Sequence, residues 1–285
     1  MRILIAGAAG QLGQALVREA AKQGWEAVAT DVGQMDITDP RAVQRHLARH
    51  RPEVVVNAAA ATRVDHLEAE PDLALKVNGL GPRNLAVACR QLGVKLIHLS
   101  TDYVFDGSKD GPYQEWDATN PLSVYGRSKL LGEELVRQQC PDHFIVRTAW
   151  LYGLPGPNFV TAILAKGRMG QGVKVVNDQR GSPTSALALA PQLLALAATE
   201  AFGTYHATCR GEATWYEFAV LILQTAGLQA QAAPCTTAEY PRPARRPANS
   251  VLENRMLGLA GLDLMPSWQE AWQEFWGICG GQLLA

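Results

Sequence analysis

Tyr125 and Lys129 lie one helical turn apart in Tyr125-Gly126-Arg127-Ser128-Lys129, so on a helix the phenol and the ammonium project side by side from one face. A free tyrosine titrates near about 10, and a fixed ammonium within a few ångströms favours the phenolate. The pair is a candidate for proton exchange near neutral pH, with Tyr125 as the acid and Lys129 as the tuning charge. A surface helix with the same spacing carries no chemistry, so the remaining motifs decide. Thr101, in Leu99-Ser100-Thr101-Asp102-Tyr103-Val104-Phe105, adds a hydroxyl that can donate and accept at the end of an apolar run.

A second group points to a dinucleotide. Gly7-Ala8-Ala9-Gly10-Gln11-Leu12-Gly13 follows a short apolar run and opens an amphipathic stretch. Glycines there permit a tight turn and let a diphosphate approach the backbone, while the helix N-terminus offers free N–H groups and positive potential. The spacing is G-x-x-G-x-x-G, not G-x-G-x-x-G. Asp31 falls roughly 20 residues further on, where a carboxylate binds an adenosine ribose hydroxyl or simply forms a turn. No residue from Asp31 to Asp36 is basic, which favours NADH over NADPH, with Arg63 the nearest alternative partner for a 2′-phosphate. The small residues of Asn57-Ala58-Ala59-Ala60-Ala61-Thr62 leave room for a flat ligand or make a close packing contact. With a nicotinamide present, Thr101 would hold a carbonyl oxygen, Tyr125 would protonate it as hydride arrives, and Lys129 would lower the phenol pKa and bind the ribose.

These groups need a frame. Short apolar runs at 3–6, 27–30, 54–57, 96–100 and 144–147 alternate with helical stretches at 11–23, 40–50, 71–92 and 123–139. That rhythm predicts an α/β fold with a Rossmann-type doubly wound parallel sheet. After Trp150 it breaks into Gly153-Leu154-Pro155-Gly156-Pro157, a strand-like 173–176, a helix at 185–199 and a strand at 203–207 that rejoins the sheet. The predicted division is a dinucleotide-binding domain at 1–149 with 182–211, and a smaller, mostly C-terminal substrate-binding lobe at 150–181 with 212–285. Trp268, Trp272, Phe275 and Trp276 recur at helical spacing and read as core packing or, less simply, an oligomer face.

Composition narrows the partners. The 285 residues are 47% hydrophobic and 19% charged, and the formal net charge of -1 gives no basic field for nucleic acid. Cys89, Cys140, Cys209, Cys235 and Cys279 are scattered, without metal or redox spacing, and read as reduced thiols. The apolar start is too short for a signal-peptide core, and no run approaches the roughly 20 residues of a membrane helix. The expectation is a cytoplasmic protein without membrane or nucleic-acid partners, with a homodimer left open.

Nearly end to end, the chain resembles the extended short-chain dehydrogenase/reductases and, among them, the dTDP-4-dehydrorhamnose reductase family. The marks are Gly7 to Gly13, Val56-Asn57-Ala58-Ala59-Ala60, Ser100 to Phe105, Tyr125-Gly-x-Ser-Lys129 and Arg147-Thr148-Ala149-Trp150-Leu151-Tyr152-Gly153. Later come Asn158-Phe159, Asn177-Asp178-Gln179-x-Gly181-x-Pro183-Thr184, Thr214-Trp215-Tyr216-Glu217-Phe218 and Ala244-Arg245-Arg246-Pro247-x-Asn249-Ser250.

The resemblance implies NADPH or NADH as cofactor and a dTDP-sugar as substrate, with Tyr125 as proton donor tuned by Lys129 and Thr101. It implies Thr101, Asp102 and Trp150 against the sugar, and Gly10, Gln11, Leu12, Asp31, Asp36, Ile37, Ala60, Ala61, Thr62 and Leu99 around the cofactor. A large flat ring with one N–H at Trp150 suits a deoxysugar, or a core. Asn158, Gln179, Arg245 and Arg246 are candidates for the nucleotide diphosphate, the two arginines equally for a solvated loop. Two departures stand out: Ala60-Ala61-Thr62 occupies a segment where relatives often carry histidine, and no carboxylate cluster supports a bridging metal, so none is expected. Tyr103 stands where dehydratases of this type carry glutamate, favouring ketone reduction over elimination. Other nucleotide-4-ketosugar reductases or epimerases, and a non-catalytic NADP-binding subunit resembling that of methionine adenosyltransferase, are the alternatives.

Overall fold

The computed structural model describes residues 1–170 and 172–284. Six strands form the central sheet: β1 (Arg2–Ala6), β2 (Glu26–Thr30), β3 (Val54–Asn57), β4 (Lys95–Thr101), β5 (His143–Thr148) and β6 (Gly203–His206). Their order across the sheet is β6-β5-β4-β3-β1-β2, and every pair is parallel. Parallel pairing demands crossovers, supplied here by α1 (Gln11–Lys22), α2 (Pro40–His50), α3 (Gly81–Leu92) and α4 (Val124–Gln139). The order reverses between β1 and β3, and the crevice beyond the C-terminal ends of strands at such a reversal is where open α/β sheets bind ligands.

Downstream lie α5 (Phe159–Arg168), α6 (Ala186–Ala197), α7 (Trp215–Thr225) and α8 (Trp268–Leu284). Three two-stranded ladders tie these parts together: 151–152 with 184–185, 173–176 with 232–235, and 180–181 with 213–214. The apolar core does not stop at the sheet. One cluster runs from Ile3 and Leu12 through Tyr152 and Phe218 to Trp272 and Phe275. The tryptophan stripe of α8 is thus core, with Trp268, Trp272 and Phe275 buried. All five cysteines are buried free thiols. Among the described residues, no helix is long and apolar enough to cross a membrane.

The stretch at 71–92 is not one uniform helix. A short α-turn at Pro71–Ala74 passes into a π-helix at Leu75–Leu80 and then into α3. Helical periodicity could not distinguish these windings, because apolar spacing changes by only one residue across the wide turn.

A buried ion pair seats α4 on the sheet. The Glu133 carboxylate, fully buried, accepts from Arg147 Nε at 2.9 Å and Nη2 at 2.8 Å, and from Ser100 Oγ at 2.6 Å. Arg137 donates at 2.7 Å, from the helix side, to the oxygen that Arg147 Nη2 also binds. Removing one partner of a buried bidentate pair strands the other charge without water. Glu133→Ala should therefore destabilise the protein by about 3–5 kcal/mol, visible as a lower urea midpoint, whereas Arg137→Ala, at the solvent edge, should cost far less.

Candidate active site

The glycine turn forms one wall of the crevice. Gly7 has φ +79°, and a Cβ there would sit 2.7 Å from Ala59 N; on Gly13 it would sit 2.2 Å from the Gly7 carbonyl oxygen. Fixed main chain fills both places, so β1, the turn and α1 meet at backbone contact distance. α1 begins at Gly10 with no side-chain cap and no acidic residue in its first turn. Its free N–H groups therefore fit a diphosphate. Leu12 is buried beneath the turn. The Asp31 carboxylate accepts from Ala9 N–H at 3.0 Å and Val32 N–H at 2.7 Å, bracing the turn from β2. Asp36 accepts from Thr38 N–H, and the Ile37 carbonyl accepts from Asn84 at 3.0 Å, which ties this cofactor-side segment to α3.

The alanine run is neither helix nor strand. Asn78, buried in the π-helix, accepts from Ala61 N–H at 2.8 Å and donates back to Ala61 O at 3.0 Å and to Ser128 Oγ at 3.1 Å. Ala60 and Ala61 face the crevice half-buried, with Thr62 exposed beyond them. Asn78 was not among the sequence-derived candidates. Its one signal is a polar side chain inside an otherwise amphipathic helix.

The reacting groups meet at the end of β4. Ser123 caps α4 by accepting from Gly126 N–H, and Glu68 accepts from Val124 N–H at 2.8 Å. This fixes Tyr125 in the first turn, with the Thr101 hydroxyl near its phenol. Thr101 Oγ1 in turn donates to Asp102 Oδ1 at 2.9 Å. One turn on, Lys129 is 3% exposed and donates to the Leu99 carbonyl at 2.5 Å.

Electrostatics correct one expectation. Burial pushes Tyr125 up to about 12, opposed by the nearby Thr101 hydroxyl and reinforced by the Asp102 charge. Lys129 is pushed down to about 8 by burial, against the pull of Glu133, and its ammonium is directed at Leu99. The phenol is therefore not acidified in the free chain; it keeps its proton, the state that a donor needs. Burial also raises Asp102 to about 6, against hydrogen bonds from Ser250 and Thr101.

A second wall is aromatic. Trp150 has φ +48° and lies flat on Trp215, centroids 3.5 Å apart and planes 5° off parallel. That backbone conformation costs a non-glycine residue about 1–3 kcal/mol, which packing must offset. Gly181 makes room for the indole: a Cβ there would lie 2.4 Å from Trp150 Cε2 and Nε1. Trp215 also lines a cleft of about 600 Å³ together with Phe159, Gln179, Tyr240, Arg245 and Arg246. No role had been assigned to Trp215, because its stack with Trp150 joins segments that sequence spacing cannot relate.

The candidate nucleotide ligands separate. Gln179 is buried and donates to Thr237 Oγ1 at 3.0 Å in the cleft. Asn158 instead caps α5, accepting from Thr161 N–H and donating to Gly153 O at 2.7 Å, outside the cleft lining. Gln11 reaches across to the Pro157 carbonyl at 3.3 Å. Arg245 is exposed and has no ion-pair partner among the described residues, whereas Arg246 grips Asp65 with both nitrogens, at 3.0 and 2.9 Å. Neither Tyr125, Lys129 nor Thr101 lines the cleft. Tyr103 stands between the two, its ring edge-on to Tyr125 at 5.8 Å and its phenol near the Arg246 guanidinium. No group of three metal-ligating side chains occurs among the described residues.

The family described as RmlD substrate binding domain matches residues 1–278. A dTDP-4-dehydrorhamnose reductase of Streptomyces griseus is 45% identical, covering 98% of this chain and 94% of the relative. The crystal structure of a dTDP-4-dehydrorhamnose reductase from Clostridium acetobutylicum superposes with a TM-score of 0.96 at 44% identity, over 98% of this chain and 100% of that one. One from Bacillus anthracis, in complex with NADP, gives 0.94 at 39% identity, over 96% and 98%.

Gly181→Ala tests the aromatic wall without reference to any ligand. The new methyl group has to displace an indole already stacked on its neighbour, an overpacking worth about 1–3 kcal/mol. We expect the near-ultraviolet circular dichroism of the Trp150–Trp215 pair to collapse and the melting temperature to fall by several degrees, while Gly258→Ala, which meets open space, leaves both unchanged.

Proposed function

The chain belongs to the RmlD substrate binding domain family, and on that premise we propose that it reduces the 4-keto group of dTDP-4-dehydro-L-rhamnose to give dTDP-L-rhamnose, with NADH or NADPH as reductant. What carries this reading is the gathering of Thr101, Tyr125 and buried Lys129 where β4 ends and α4 begins, with Lys129 donating back to the Leu99 carbonyl of that strand.

When bound, the nicotinamide cofactor supplies the hydride that C4 receives. The chain supplies the rest. Gly7, Gly10, Gln11, Leu12 and Gly13 hold the cofactor diphosphate at the start of α1, and Asp31, Asp36, Ile37, Ala60, Ala61, Thr62 and Leu99 line the remainder of that site. Thr101 and Tyr125 hold the ketone oxygen, and Tyr125 passes its phenolic proton to that oxygen as negative charge develops. The phenolate left behind is stabilised by the Thr101 hydroxyl and the Lys129 ammonium. Thr101 and Asp102 orient the sugar hydroxyls, and Trp150 offers the apolar sugar face a flat platform. Gln179 and Arg245 receive the nucleotide in the cleft, Arg245 through its unpaired guanidinium. Asn158 acts through the shape of its loop. We assign the cofactor to residues 1–149 with 182–211 and the nucleotide to 150–181 with 212–285, and place the protein in the cytoplasm.

Cofactor oxidation followed at 340 nm with dTDP-4-dehydro-L-rhamnose tests the assignment. Tyr125→Phe should lower kcat by about 10²–10⁴ while KM moves little; a wild-type protein that binds NADPH but turns over no 4-keto nucleotide sugar would overturn it. The pH profile of kcat/KM should fall on both sides. Below about 6, Asp102 takes up a proton and loses its charge. Above about 8, Lys129 loses the proton that makes it a phenolate-stabilising cation. Asp102→Asn should remove the acid limb and leave the alkaline one.

A further inference from the structure

A loop distant in sequence, 242–246, closes on Asp65. This residue sits in the short helix Val64–Leu67, which directly follows the Ala60-Ala61-Thr62 run on the cofactor side. Its Oδ1 accepts from Arg246 Nη1 at 3.0 Å and from Ala244 N–H at 3.2 Å, and its Oδ2 accepts from Arg246 Nη2 at 2.9 Å, with Arg242 at 3.8 Å. Ala244, Arg245 and Arg246 belong to the loop that lines the nucleotide cleft. The Arg246 guanidinium also donates to Ala244 O at 2.9 Å and stands near the phenol of Tyr103, whose ring is edge-on to Tyr125. The pair is sheltered, with Arg246 19% and Asp65 29% exposed. Burial by itself would raise the Asp65 carboxyl, but the Arg246 and Ala244 hydrogen bonds and the arginine charges hold it below the usual range.

A bidentate, half-buried fork of this kind is directional, and neither side chain can rotate without breaking two bonds. The segment before Asp65 is itself held at Ala61 by Asn78. Order in the cofactor-side run is therefore transmitted through one carboxylate to the cleft loop, and from Arg246 to the tyrosine pair. Arg246 is committed to this joint, which leaves Arg245 as the cation presented to a phosphate.

We propose that Asp65 is a positioning residue that couples cofactor and nucleotide binding: by gripping Arg246 and the Ala244 amide, it makes the cleft loop's ordering depend on the segment that contacts the cofactor. The inference rests on the function proposed above for the identity of the two ligands. Coupling is reciprocal, so each ligand must tighten the other by the same factor.

Titration calorimetry with dTDP and NADPH tests this. For the wild type we expect dTDP to bind about 10-fold tighter with saturating NADPH than without it, and NADPH to gain equally from dTDP. Asp65→Asn keeps the shape but removes the charge. It should reduce the coupling to under about 2-fold, with NADPH affinity alone preserved and the KM for the sugar nucleotide raised more than kcat is lowered. Arg246→Lys, a cation without the fork, should lose the coupling too, and thermal melts of both variants establish that they fold. Undiminished coupling in either folded variant overturns the proposal, as does a wild type that binds both ligands independently. A wild type that binds NADPH but no dTDP instead sinks the functional assignment, and the coupling with it.

Discussion

The arrangement of the site depends on a charge that has no access to water. Glu133 lies on the same face of α4 as Lys129 and Tyr125, and its carboxylate is bonded at once to Arg147 on β5 and Ser100 on β4. Two strands and a helix are thereby fixed at hydrogen-bond precision. A purely apolar contact would have held α4 on the sheet as firmly, but with freedom to slide by fractions of an ångström. Sliding would separate the Tyr125 phenol from Thr101, which sits one residue beyond Ser100. The network also places a negative charge one turn from Lys129, opposing the burial that drains the lysine's proton.

Burial acts on this site in two directions. It holds the Tyr125 proton in place, which suits a donor, and weakens the hold of Lys129 on its own, which does not. The balance is set by neighbours within one or two bonds of each group. Thr101 serves both ends, since its hydroxyl lies near the Tyr125 phenol and donates to Asp102. The aromatic wall obeys a different logic. Trp150 accepts a strained backbone because Trp215 and the bare face of Gly181 leave its indole one place to lie.

Much of this was legible in the order of residues. Strand runs, the glycine turn and the Tyr125–Lys129 pair depend on local periodicity, and each appears where the spacing put it, with ends shifted by a residue or two. Position relative to the strands also foretold that Thr101 and Tyr125 would both emerge at the C-terminal edge of the sheet. What could not be read is contact across long separations. Asn78 clamps Ala61 from a π-turn that looks like ordinary helix, Trp215 covers Trp150 from beyond α6, and Asp65 claims Arg246 from the far side of the chain. Arg245 and Arg246 show the limit clearly: adjacent and chemically alike, they differ only in which way the loop turns them.

At Leu75–Leu80 the helix widens into a π-turn. One extra residue in a helical turn advances the angular phase of everything that follows by about 100°. Within it, Asn78 is aimed at Ala61 and the crevice; after it, Leu85, Ala86 and Cys89 face the core beneath β4. A single added residue thus lets one continuous rod keep two faces in register with two different surroundings, a correction that no choice of side chains could have made.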